Sequence, residues 1–269
     1  LWGAGETIEG IVKDNTGGVI PGVAVVLTST DTGASRQVLS DDAGYYVFTN
    51  IRPGNYTIKA DLEGFQPVKI EGIKLDVGGK LSYPITMNVS QVTTEVVVQA
   101  EVDQVETTTS ALDTVIDEKR ILDLPLNGRN PLSLVYLAPG VSNGLTGGPA
   151  ANGSRDRGTN YQLDGLDNND TAVTGNVVET NVDATAEFRV ITSNPSAEYG
   201  RAGGAIIDMV TKSGTNEFHG NAYIFSRSEN LDAATYNENI NGLTKGDYKR
   251  NQFGGSIGGP IVKDKLFFF

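Results

Sequence analysis

Thr94-Glu95-Val96-Val97-Val98-Gln99-Ala100 is a short β-prone string between two segments of different composition. Its reading decides whether the chain is one β-rich body or two units joined by a strand that a partner can take. Three consecutive Val residues are stiff at χ1 and favour an extended backbone, while Thr93, Thr94, Glu95, Gln99 and Glu101 are polar enough to sit in water. Such a string is a strand in need of a sheet edge. Two roles are open to it: the last strand of the domain before it, or a segment that pairs main chain to main chain with another protein by β-augmentation.

On its N-terminal side, residues 6–90 fall into alternating runs punctuated by turn formers. Strands are expected at 7–12, 24–29, 37–40, 45–49, 56–60, 66–70 and 80–89. Between them lie Asp14-Asn15-Thr16-Gly17-Gly18, Asp31-Thr32-Gly33, Asp41-Asp42-Ala43-Gly44 and Arg52-Pro53-Gly54-Asn55, where φ-tolerant or ring-locked residues reverse the chain. Seven strands at that spacing make a small β-sandwich. Alternation turns Tyr46, Phe48, Tyr56, Ile58 and Ala60 into a shared core and leaves Tyr45, Thr57 and Lys59 toward solvent.

On the other side, after Glu101, Val102–Thr109 is a polar, Thr-rich linker. One or two helical turns are expected within Asp113–Arg120, and a helix from Pro131 to Leu137 capped by Asn130. Residues 142–160 are dense in Gly, Asn, Ser and Thr and read as a long loop, which is either functional or mobile. Tyr161–Leu163, Glu187–Ile191 and Ala205–Thr211 read as strands. Beyond 213, strands are expected at 218–226, 252–257 and 265–269, with a polar loop over 230–250.

The composition narrows the function. The 269 residues include 33 Gly and no Cys, with 38% hydrophobic and 20% charged residues, a β-rich and loop-rich balance. A formal charge of −12 argues against a nucleic-acid partner, which needs a basic face. No apolar run approaches a membrane helix, although transmembrane β-strands give a much weaker signal. The start, Leu1-Trp2-Gly3-Ala4-Gly5-Glu6, has no initiator Met and no signal-peptide layout, and reads as the beginning of a mature or trimmed chain.

Catalytic and metal motifs fare poorly. The carboxylates and amides of Asp164, Asp167, Asn168, Asn169 and Asp170 invite a calcium-loop reading, but neither the required Gly nor the closing acidic residue follows at the right position. Gly254-x-Ser256-x-Gly258 has the nucleophile-elbow pattern, yet no His follows and Gly258-Gly259-Pro260 opens a turn. The single His219 has no His or Cys partner for a metal and suits an aromatic girdle or strand surface. Neither an enzyme nor a cofactor is expected.

Two resemblances organise these readings. Ser40-Asp41-Asp42-Ala43-Gly44-Tyr45-Tyr46-Val47-Phe48, followed by Ile51-Arg52-Pro53-Gly54-Asn55-Tyr56-Thr57-Ile58, resembles the carboxypeptidase regulatory-like domain, a prealbumin-like sandwich. Ser196-Ala197-Glu198-Tyr199-Gly200-Arg201-Ala202-Gly203-Gly204, running into the strand that ends at Thr211-Lys212, resembles the end of the plug of TonB-dependent outer-membrane receptors. Asp123-Leu124-Pro125-Leu126-Asn127-Gly128-Arg129-Asn130, Ala138-Pro139-Gly140-Val141, Leu163-Asp164-Gly165 and the run Asn251–Phe269 are similar to the Oar-like form of that family.

The resemblance implies a mainly β chain with an α+β part. A sandwich at 6–90 is followed by a TonB-box linker at 91–109, an α+β plug at 110–212, and the first strands of an incomplete transmembrane β-barrel at 213–269. Receptors of this kind have about 22 strands, so the chain reads as an N-terminal fragment. TonB would bind at Thr94, Glu95, Val96, Val97, Val98, Gln99 and Ala100, with Val96 and Val98 on one face, the tether being unpaired at rest.

Force from an inner-membrane motor would then displace part of the plug, while outer-membrane lipid surrounds the barrel and the sandwich hangs in the periplasm of a Gram-negative cell. The family is associated with large ligands such as peptides or polysaccharides, for which Asn152, Arg155, Asp156, Arg157, Asp167 and Asn168 are the candidate contacts. A second reading, favoured by the stop at Phe269, is a periplasmic or cell-surface binding module without a barrel.

Overall fold

The computed structural model describes residues 6–89, 96–100, 109–124, 126, 128–170, 172, 175–200 and 203–269. The first part holds β1 (Thr7–Asp14), β2 (Ala24–Ser29), β3 (Ser35–Leu39), β4 (Tyr45–Thr49), β5 (Gly54–Asp61), β6 (Val68–Leu75), β7 (Lys80–Ser82), β8 (Ile85–Met87) and β9 (Val96–Gln99). One sheet runs β4-β1-β7 with β8 also on β1, and the other runs β3-β2-β5-β6-β9. The expected strand at 80–89 is split in two at Tyr83-Pro84, because a proline has no N–H to continue the ladder. The two pieces pair in parallel with different halves of β1.

Alternation assigns the core as expected. Phe48, Ile58 and Ala60 are fully buried, Tyr46 and Tyr56 nearly so, while Lys59 is exposed. Tyr45 is half-buried because its hydroxyl donates to Glu9 at 2.5 Å. The Tyr46 hydroxyl, inside the core, donates to the Tyr83 carbonyl at 2.7 Å, which satisfies a buried polar group. That reach passes over Gly10, the residue opposite Tyr46 in the ladder.

The middle part holds β10 (Leu112–Ile116), α1 (Glu118–Asp123), a 3-10 turn at Pro131–Leu137, β11 (Val141–Asn143), β12 (Pro149–Ala151), β13 (Asn160–Leu163), β14 (Leu166–Asp167), β15 (Thr185–Ser193) and β16 (Ile206–Thr211). The helical turns expected within 113–120 are displaced: 112–116 is a strand on β15, and α1 begins only after Asp117, whose carboxylate accepts the Arg120 N–H at 2.8 Å. Asn130 caps its segment as expected, accepting the Leu132 N–H, but the turn is 3-10 rather than α. The span 142–160 is not one loop, since β11 and β12 form a hairpin inside it.

The main sheet here is ordered β10-β15-β16-β13-β14, with β15 paired on both sides. Phe188 and Val190 point into a core shared with Ile116, Leu134, Ile207 and Met209. By the two-residue period, Glu187 and Arg189 point the other way.

The last part is a three-stranded antiparallel sheet of β17 (His219–Ser228), β18 (Lys249–Val262) and β19 (Leu266–Phe268), with α2 (Tyr236–Ile240) in the polar connection. Asn221 and Tyr223 turn toward the middle part. Ile224, Phe253 and Ile257 are 76%, 76% and 63% exposed and leave the opposite face apolar.

Gly10 sets a stability prediction. A Cβ there would lie 2.1 Å from the Tyr83 carbonyl oxygen and 2.8 Å from the Tyr46 ring. Gly10→Ala is expected to destabilise the sandwich by about 2 kcal/mol or more, the upper range of overpacking. Thermal unfolding measures this, and an unchanged midpoint contradicts the packing.

Candidate functional site

The valine-rich string is built into the sandwich as an edge strand. Its pairing with β6 is parallel, with Val96, Val97, Val98 and Gln99 opposite Val68, Lys69, Ile70 and Glu71. The Val96 N–H donates to the Pro67 carbonyl at 2.9 Å, and the Ala100 N–H to the Glu71 carbonyl at 2.8 Å. The expectation of a tether unpaired at rest is therefore corrected for 96–100. The hydrophobic residues of β6 offer a ladder, and the extended valines take it. Thr94 and Glu95 lie outside the described residues.

Because Val96 and Ala100 donate inward, alternation directs the N–H and C=O of Val97 and Gln99 to the outer edge. Among the described residues no strand pairs there. Val96 and Val98 do share a face, the one turned to the core. Even so, Val98 is 46% and Val97 54% exposed, and only Ala100 packs against the sandwich core. Glu71 fixes the end of the pairing, since it holds Lys69 at 2.6 Å and accepts from the Gln99 amide at 3.5 Å.

A second feature joins the sandwich to the middle sheet. The turn after β6 offers its backbone to β15: the Val77 N–H donates to the Glu187 carboxylate at 2.5 Å, and Arg189 donates to the Gly78 carbonyl at 3.3 Å. Arg189 also pairs with Asp113 at 2.9 Å, and Glu6 accepts the Gly78 N–H at 3.2 Å. Gly78 has φ +64, and a Cβ there would meet the Tyr199 hydroxyl at 2.6 Å, so this turn requires glycine.

Asp208 lies directly across the ladder from Arg189 and is 1% exposed. Burial, with Asp76 beside it, pushes the Glu187 carboxyl up to about 7, and burial, with Glu6 nearby, pushes Asp208 to about 7. A cleft of about 1010 Å³ opens beside this junction, lined by Glu6, Arg52, Lys74, Glu187, Asp208 and Lys212 among others.

A third feature ties the middle part to the final sheet. Arg129, at φ 57, pairs with Asp183 at 2.5 Å and stands 4.2 Å from the ring centres of both Tyr223 and Phe225 on β17. Asn221 completes the knot by donating to Asp183 at 2.6 Å. Sequence reasoning passed over Arg129, Asp183, Glu187 and Arg189. The available signals were a lone cation straight after Gly128 and a Glu-x-Arg alternation in an otherwise apolar strand.

The candidate ligand contacts are separated by role. Asn152 donates to the Thr192 carbonyl at 2.8 Å, and buried Asp156 accepts from the backbone and hydroxyl of Thr146. Asp167 accepts the Asn169 N–H at 3.0 Å, and buried Asn168 bridges to both backbone groups of Val178. Arg155 and Arg157 are exposed. Asp164, at φ 51, accepts from the backbone and hydroxyl of Thr211, which is turn chemistry. His219 is exposed and stacks on Phe269 at 6.2 Å.

Residues 7–88 match the family model of the carboxypeptidase regulatory-like domain, and residues 210–269 that of an outer membrane beta barrel domain. The chain is 31% identical over 265 residues, 92% of its length, to the TonB-dependent transporter Oar of Myxococcus xanthus, and spans 24% of that protein. It is homologous to part of that transporter. Similar solved structures include the siderophore receptor PirA of Acinetobacter baumannii, at 23% identity and TM-score 0.44 over 59% of this chain and 24% of that one. The ferric enterobactin receptor PfeA of Pseudomonas aeruginosa is 17% identical, with TM-score 0.42 over 56% of this chain and 23% of that one.

The raised carboxyls fix a pH dependence. Their folded values lie above the ordinary carboxylate range, so ionisation opposes the junction above about pH 7, and the penalty is relieved as pH falls through that value. Stability is expected to rise from pH 8 to pH 6. Glu187→Gln keeps an acceptor for Val77 and removes the charge, so it is expected to stabilise by about 3 kcal/mol at pH 8 and by nothing below about pH 4. Calorimetry at the two pH values checks this, and a destabilised variant at pH 8 contradicts it. Arg129→Ala leaves Asp183 without its cation and two rings uncovered, for a loss of about 2–4 kcal/mol read by thermal unfolding. A change within 0.5 kcal/mol or so, ordinary for a surface site, contradicts the anchoring role.

Proposed function

We propose that this chain forms the N-terminal part of a TonB-dependent outer-membrane transporter that takes up a large ligand, a peptide or polysaccharide. The sandwich, 6–90, stands in the periplasm. The linker, 91–109, carries the TonB-binding segment 94–100. Residues 110–212 act as the plug, and 213–269 open the barrel wall. The similarity to a TonB-dependent transporter over 92% of the chain supports the assignment.

The observation that carries the mechanism is the strand at 96–99, an edge strand of the sandwich whose outer edge is unpaired among the described residues. An extended TonB strand can pair with such an edge without any side-chain site. Backbone bonds supply the grip, and the exposed Val97 supplies side-chain contact. The apolar face of β17 and β18 then meets lipid, through Ile224, Phe253 and Ile257. On the plug, Arg155 and Arg157 offer exposed guanidinium groups to the ligand, while Asn152, Asp156, Asp167 and Asn168 shape the loops that present them. Nothing in this mechanism calls for a catalytic group. Energy enters as tension on a β-ladder.

Val97→Pro tests the capture. Its N–H points to the outer edge, so proline removes one donor there and leaves the donors toward β6 in place, the arrangement in which an edge strand tolerates proline. Pull-down of the whole protein with the TonB carboxy-terminal domain is expected to fall by about tenfold or more. Unchanged capture overturns the assignment of 94–100.

A further inference from the structure

The TonB-binding strand is half used before TonB arrives. Its inner edge is committed to β6 through Val96 and Ala100, and the register runs unbroken from Val68 opposite Val96 to Glu71 opposite Gln99. β-Augmentation consumes only one edge of a strand, because alternate residues direct their backbone groups to opposite sides. Capture through the outer edge therefore requires no release of the inner one. Peeling β9 away would break the inner bonds, uncover the hydrophobic flank at Ala100, and leave β6 as a bare edge.

Resting on the TonB reading above, we propose that the strand at 96–99 stays on β6 while TonB occupies its outer edge, so that the sandwich becomes a working part of the force path. TonB's strand then continues the sheet β3-β2-β5-β6-β9 as a sixth member. Tension applied there is spread over the whole sandwich rather than concentrated on a single extended tether. From the sandwich it reaches the plug at β15, where the turn at Val77 and Gly78 is gripped by Glu187 and Arg189. That strand is paired on both sides within the plug sheet, so a pull at this point acts on the middle of the plug. The partner's chemistry is that of an extended main chain with a free edge of its own, and the exposed side chains of Val97 and Gln99 flank it.

The chain has no cysteine, which makes a crosslink test clean. Val68 and Val96 are directly opposite, at an interstrand spacing of about 4.8 Å, within disulfide reach, and the Val96 side chain lies on the face turned to the core, away from the outer edge. The double variant Val68→Cys/Val96→Cys in the whole protein is expected to oxidise spontaneously, as read by thiol labelling. The oxidised and reduced forms are then compared for capture by the TonB carboxy-terminal domain. The inference expects oxidised and reduced forms to bind within about twofold of each other, a free-energy difference of about 0.4 kcal/mol. Capture by the reduced form alone overturns it, because TonB then needs the strand detached. Failure of the pair to oxidise also overturns it, since the register requires the two residues to be adjacent. Absence of capture by the wild-type protein is a separate result and defeats the TonB reading itself.

Discussion

The parallel pairing of β9 with β6 is the interaction on which the rest depends. A strand's N–H and C=O groups leave alternately toward its two neighbours, and the bonds from Val96 and Ala100 settle which set faces inward. Everything presented to a partner is what remains: the backbone of Val97 and Gln99 and the two exposed valines. A segment in this state combines order with availability. It loses little conformational freedom on capture because its φ and ψ are already extended, and it still has a complete row of groups to offer.

The junction between the sandwich and the middle sheet is the other half of that arrangement. Buried carboxylates are tolerated when their oxygens are met by backbone donors or a cation, and here one arginine and a glycine-dependent turn serve Glu187, Asp113 and Glu6. Burial, with Glu6 nearby, accounts for the preference of Asp208 for the protonated form, and among the described residues no hydrogen bond meets its carboxylate. A junction tuned in this way holds the two units together through a few directional bonds rather than a broad apolar seam. The anchor formed by Arg129, Asp183 and Tyr223 repeats the principle at the boundary with the final sheet.

Legibility in the sequence followed the range of the interactions. The sandwich could be read because each strand carries its own alternation and each reversal its own Asp, Gly or Pro, as in Asp41-Asp42-Ala43-Gly44 before Tyr45. Pro84 signalled the break between β7 and β8, a local fact that the apolar run around it obscured. Leu112–Ile116 was missed because Asp113 and Thr114 weaken a strand pattern that only pairing with β15 stabilises. Val141–Ala151 was hidden by its glycines. The junction was the least legible feature: Glu187 and Val77 are 110 residues apart, and nothing near Glu187 says that a turn from another unit will cover it. The edge strand lay between these extremes, since its β character was evident and its docking partner was not.

Amide hydrogen exchange across 96–100, resolved residue by residue by NMR, tests the central claim most directly. The account predicts an alternating pattern, with Val96, Val98 and Ala100 protected by β6 while Val97 and Gln99 exchange rapidly, and with those two gaining protection when the TonB carboxy-terminal domain is added. Uniformly rapid exchange through all five residues in the free protein would contradict it, because the strand would then have no inner edge in use.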